Sequence, residues 1–151
     1  MNLDRVCNGV LEYWSGAGFE VISNDGNAAR LMASVNYRKF YGERSIELDV
    51  YAYQSGACHV FADFGKVSYR RKQRALELVN EFNRRSAWFR AYLSPEDKDY
   101  MSGVNLHFSI FEDLTIESEE KRTIDYINFA IGQILEEDFY NMFKEILDVL
   151  E

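Results

Sequence analysis

The segment Arg74–Ser94, RALELVNEFNRRSAWFRAYLS, changes its hydrophobic period half-way along, and that change decides the fold. In its first part Ala75, Leu76, Val79, Phe82 and Asn83 share one helical stripe, while Arg74, Glu77, Glu81 and Arg84 fall outside it. After Arg85 the period becomes two: Ala87, Phe89, Ala91 and Leu93 point one way, and Trp88, Arg90 and Tyr92 the other. The pattern predicts an amphipathic helix that lies on a sheet and runs directly into one of its strands.

Working back towards the N-terminus, a first helix is expected from Leu3, Val6, Cys7, Val10, Leu11 and Trp14, with Asn2 as N-cap and Gly16 and Gly18 as its stop. Phe19 and Val21, the turn Asn24–Asn27, and then Ala29, Leu31, Ala33, Val35 and Tyr37 read as a hairpin. Past a loop Arg38–Arg44, Ile46, Leu48, Val50 and Ala52 alternate with Ser45, Glu47, Asp49, Tyr51 and Tyr53. A Gln54-Ser55-Gly56 turn returns the chain through Cys58, Val60, Ala62 and Phe64, which completes an antiparallel meander.

Downstream, Ser94–Asp99 reads as a turn, followed by a strand with Val104, Leu106, Phe108 and Ile110 towards the core. Ser118 is the predicted cap of a helix striped by Ile124, Ile127, Ile131, Ile134 and Leu135. A terminal helix carries Phe139, Met142, Phe143, Ile146, Leu147 and Leu150. The expected fold is α+β, a twisted antiparallel sheet of about six strands with packed helices in the order α-ββββ-α-ββ-α-α, in one domain spanning residues 1–151.

Hydrophobic residues at 47% exclude an intrinsically disordered chain, and no apolar run approaches the ~20 residues of a membrane helix. The N-terminus shows no basic segment followed by an apolar one, so a soluble, cytoplasmic protein without a membrane partner is expected. Cys7 and Cys58 lack C-x-x-C spacing and read as buried reduced thiols. Residues 1–68 carry six Lys/Arg against eight Asp/Glu, residues 69–92 seven against two, and residues 93–151 four against fifteen. This separation points to docking within one molecule or pairing between subunits in a homodimer, and the acidic tail disfavours a nucleic-acid partner.

Signatures of chemistry are weak throughout. Gly16-Ala17-Gly18 ends a helix instead of following a strand, so it is no phosphate loop. Two histidines, His59 and His107, cannot close a zinc site, and adjacent Cys58 and His59 point to opposite faces of a strand. Asp97 and Asp99 lack the glycine and distal glutamate of a calcium loop, and no G-x-S-x-G elbow is present. The expectation is no catalytic residue, no metal and no cofactor.

Two features stand out. Arg70, Arg71, Lys72 and Arg74 cluster where the middle helix begins, against its dipole. The other is the sheet face opposite the aliphatic core, which alternation fills with Tyr51, Tyr53, Phe61, Trp88, Tyr92 and Phe111. So aromatic a face requires cover, either from the chain's own C-terminal helices or from a partner or second subunit. Candidate partner-binding residues are therefore Arg70, Arg71, Arg74, Tyr51, Tyr53, Phe61, Trp88 and Tyr92. A competing reading is a small-molecule or enzymatic pocket between sheet and helices, lined by Tyr51, Tyr53, Trp88 and His107.

The run ALELVN at Ala75–Asn80, with Phe82-Asn83-Arg84 and Phe89–Leu93, resembles the helix-to-strand joint of the YbjN family. These are candidate bacterial sensory-transduction regulators that share the fold of type III secretion chaperones. Similarity extends more weakly over most of the chain, in element order. The resemblance implies the same α+β fold and a non-enzymatic, chaperone-like or regulatory module of a bacterial cell that binds a protein partner or client.

Overall fold

Asn2 opens the first helix as its side-chain oxygen accepts from the backbone N–H of Asp4 at 3.0 Å and of Arg5 at 3.4 Å, which satisfies two donors that the first turn leaves unpaired. The resulting helix α1 (Leu3–Tyr13) buries Leu3, Val6, Cys7 and Val10 and ends before Gly16, where φ is +87°. A computed structural model describes residues 1–36, 38–95, 106–115 and 120–150, of which Pro95 and residues 106–115 are described by backbone alone. Tyr37, Glu96–Asp99, Val104 and the Ser118 cap lie outside the described residues.

Strands β1 (Glu20–Asn24), β2 (Ala28–Asn36), β3 (Ser45–Tyr53) and β4 (Ala57–Val67) form the meander. Helix α3 (Lys72–Arg85) then leads into β5 (Arg90–Pro95) and β6 (Leu106–Thr115), and helices α4 (Glu120–Ile134) and α5 (Glu137–Leu147) follow. All six strands pair antiparallel in one sheet of order β1-β2-β3-β4-β6-β5. The α+β architecture and its element order follow the periodicity, with a one-turn helix α2 (Arg38–Tyr41) and a 3-10 turn (Tyr69–Arg71) added.

Alternation on β2, β3 and β4 delivers Ala29, Leu31, Ile46, Leu48, Val50, Ala52, Cys58, Val60, Ala62 and Phe64 to one face, and all are buried there. A bulge between Asp63 and Gly65 inserts one residue into β4, so beyond it the inward set switches from even to odd positions and Val67 is buried. Gly65 carries the bulge at φ +126°, its N–H donating to Asp63 Oδ1 at 3.0 Å. Helices α1, α3, α4 and α5 contribute to the same core as these strands. Phe143 of α5 packs against Phe64 of β4, the ring centroids 4.9 Å apart and the planes tilted by 60°. Helix α1 approaches α4 so closely at Gly9 that a Cβ there would lie 2.6 Å from Ile124.

Several local expectations are corrected. Val21 is exposed because β1 is the edge strand, exposed along its whole length. The loop Arg38–Arg44 contains α2, which buries Tyr41 against Phe64 and Phe143, with its hydroxyl donating to the carbonyl of Ile134. On α3 the buried stripe is Ala75, Leu78, Val79 and Phe82; Leu76 is only half-buried, since α3 is wedged between β5 and α5 and turns Leu78 inward. Strand β5 starts at Arg90 instead of Ala87, because Ser86 Oγ accepts the Phe89 N–H at 3.1 Å in a turn that uses up the intervening residues. Both cysteines are free and buried, and burial pushes the Cys7 thiol up.

Candidate functional site

With the long helices gathered on the aliphatic side, the opposite face of the sheet has no described element across it. The alternative in which the C-terminal helices shield the aromatic face is thereby overturned for the described residues: α4 and α5 bury Ile127, Ile131, Ile134, Phe139 and Phe143 into the aliphatic core instead.

The open face forms a concavity of about 550 Å³. Its described lining comes from β2 (Met32), β3 (Glu47, Asp49, Tyr51, Tyr53), β4 (His59, Phe61, Ala62, Asp63) and β5 (Tyr92, Ser94). Register explains the grouping. Arg30 pairs with Tyr51, Met32 with Asp49 and Ser34 with Glu47, and across the next seam Tyr51 pairs with His59, Asp49 with Phe61 and Glu47 with Asp63. Cross-strand partners project from the same face, so these side chains are bound to meet.

With no described helix across this face, aromatic rings cover one another. Tyr51 meets the diagonal Phe61 edge-on at 5.9 Å, and Tyr53 meets His59 edge-on at 5.4 Å. Beside them Arg30 donates to Asp49 through Nε at 3.0 Å and Nη2 at 2.7 Å, while its guanidinium carbon stands 5.2 Å from the Tyr51 ring centroid. Hydrogen bonding to Asp49 raises the Arg30 pKa; burial, reinforced by the Asp49 carboxylate, pushes the Tyr51 hydroxyl up. Glu47 accepts from the Ser34 hydroxyl at 2.8 Å and lies at the exposed rim.

Of the sequence-derived candidates, Tyr51, Tyr53, Phe61 and Tyr92 come together in this concavity. Trp88 does not, because it sits in the turn before β5, 67% exposed and away from the lining. The side chains of His107 and Phe111 lie outside the described ones, although register sets Phe111 opposite Phe61. A pocket between sheet and helices, with Trp88 in its wall, is not what the described residues form: the concavity faces away from the helices. Met32, Glu47, Asp49, His59 and Asp63 join them in the described lining, with Arg30 at its margin on Asp49. The signal that finds Glu47 and Asp49 was their odd-numbered parity with Tyr51 and Tyr53.

The basic cluster lies elsewhere. Arg74 bridges Glu77 at 3.4 Å and Glu145 of α5 at 3.7 Å, so it meets the acidic C-terminal region of its own chain. Arg71 Nη1 donates to the Asp148 carbonyl at 3.5 Å, just past α5, while Arg70 is exposed. Positive charge at that helix end also complements the α5 dipole. Among the described residues no group of three or more His, Cys, Asp or Glu could hold a metal ion, and no helix is long and apolar enough to cross a membrane.

No protein-family model matches the chain, and no curated protein matches it. A solved structure does: YbjN from E. coli, described as a candidate transcription regulator, at a TM-score of 0.54 over 89% of this chain and 87% of that one, with 12% identity. The chain has the YbjN fold. At that identity the likeness concerns architecture, the α+β arrangement read from the central joint included.

Proposed function

We propose that the chain is a non-enzymatic regulatory or chaperone-like module of a bacterial cell that binds a protein partner through the open face of its sheet. The observation that carries this reading is the one-sided helical layer, which leaves an aromatic concavity of about 550 Å³ uncovered by described residues. Such a surface, with tyrosines at its centre and carboxylates at its rim, has the composition of a protein-contact patch. The regulatory character of the YbjN-fold neighbour is compatible with it. Arg70 and the exposed Trp88 extend the contact candidates beyond the concavity. A homodimer built on exchange of basic and acidic segments has less to recommend it, because Arg74 and Glu145 already pair within one chain.

Photo-cross-linking in the source cell tests the proposal. A benzophenone side chain at Tyr53 is expected to give a discrete protein adduct, and one at Tyr13, exposed on α1, is not. Adducts from Tyr13 and none from Tyr53 overturn it.

A further inference from the structure

Resting on that reading, we infer the chemistry of the occupant: the open face docks a basic segment of a partner polypeptide, with an Arg or Lys side chain entering the concavity between its carboxylates and its rings. The described lining contains three carboxylates, Glu47, Asp49 and Asp63, and neither Lys nor Arg. Charge is set against a π-face there, as a cation prefers. Arg30, at the margin, already demonstrates the mode within the chain, held by Asp49 through two hydrogen bonds and placed over Tyr51. Farther along the seam the register sets Glu47 directly opposite Asp63, so that the acidic part of the lining continues beside the rings.

Alternatives fit this chemistry less well. A second copy docked face to face would bring the same carboxylates against one another, and an acidic peptide or nucleic acid would meet them head on. A small free cation would be poorly enclosed, since the described walls of the concavity all belong to one sheet, whereas small-molecule sites bury most of their ligand. An extended polypeptide spans such a trough and adds contacts on either side of its charged residue.

The test is an NMR titration of the full chain with three nine-residue peptides of alternating composition: Ser/Arg, Ser/Asp and Ser/Tyr. Saturable binding of the Ser/Arg peptide is expected, with shifts centred on Tyr51 and Phe61 and affinity that falls with salt. Glu47→Gln and Tyr51→Leu are expected to weaken it about five- to tenfold. Glu12→Gln, an equal change of charge on the exposed side of α1, leaves affinity unchanged. If Glu12→Gln weakens binding as much as Glu47→Gln, the attraction is that of an acidic chain as a whole and the inference fails. Binding of the Ser/Asp or Ser/Tyr peptide at the face, without the Ser/Arg one, also sinks the inference while the partner-binding reading stands. Absence of all three overturns the cationic occupant, and the cross-linking result then decides the broader reading alone. Circular dichroism identifies any variant that fails to fold, and the wild-type titration remains decisive in that event.

Discussion

The two faces of the sheet are built from the same strands by the same alternation, yet they end in different states. On β3, Ile46, Leu48, Val50 and Ala52 are fully buried under helices, while Glu47, Asp49, Tyr51 and Tyr53 from the same nine residues line an open concavity. Size and chemistry account for the difference. Short aliphatic side chains on one face let the helices approach and interlock, as Phe64, Phe82, Phe139 and Phe143 do across the layer. Carboxylates could not be covered by apolar helices without losing their hydration, so the other face is left to rings that pack sideways on one another. One face holds the fold together; the other carries no described helix.

The largest effect should come from the covered face. Phe82 is 0% exposed and meets Phe139 and Phe143 edge-on at 5.7 and 6.0 Å, so Phe82→Ala should cost about 3–5 kcal/mol in denaturant melts. A loss under about 1 kcal/mol would show that α3 does not organise the core. Next comes Asn83, whose side chain donates to the Ala91 carbonyl at 2.9 Å and accepts the Ala91 N–H at 2.6 Å, on the edge of β5 away from β6. Asn83→Ala should cost about 1–3 kcal/mol, because two backbone groups lose their partner at once. Gly9→Ala follows, at about 1–2 kcal/mol: crowding against Ile124 outweighs the ~1 kcal/mol of helix propensity gained. A neutral or stabilised Gly9→Ala protein would mean that α1 and α4 are looser than described.

How much of this was legible differs between the faces. Strand alternation needs only the sequence, so the aliphatic core and the aromatic set Tyr51, Tyr53, Phe61 and Tyr92 could be placed before any coordinates were known. Which face the helices choose cannot be read that way, because α4 and α5 are apolar on one side whichever surface they join. Trp88 was misplaced by a single hydroxyl, Ser86 Oγ, which turns the chain where parity alone continues the strand. The burial of Tyr41 leaves no mark in the sequence, since one turn of helix before Gly42 is too brief to show a period. Arg30 could not be assigned to Asp49 without the register of β2 on β3.

Substitutions on the open face sharpen the contrast from below. Tyr51→Ala should cost only about 0.5–1.5 kcal/mol, the scale of one aromatic pair with Phe61. A cost equal to that of Phe82→Ala would mean that the face is covered in solution. The smallest effect is expected at Glu120, which receives the Asn2 N–H at 2.8 Å and joins α1 to α4. That hydrogen bond holds the Glu120 carboxyl below its ordinary value. A depressed carboxyl contributes stability above its unfolded pKa and loses it as pH falls through the lower folded value. Wild type should therefore melt slightly above Glu120→Gln at neutral pH, and the gap should close on acidification; a gap that widens in acid would contradict the assignment.

A soluble gadolinium chelate tests directly whether the aromatic face, which no described helix covers, is open while the aliphatic face is sealed. In spectra of the purified chain the ring signals of Tyr51, Tyr53 and Phe61 should broaden strongly as the chelate is added, while those of Phe64 and Phe143 stay sharp. Equal protection of Tyr51, Phe61 and Phe64 would contradict the account, because it would place a cover over the aromatic face.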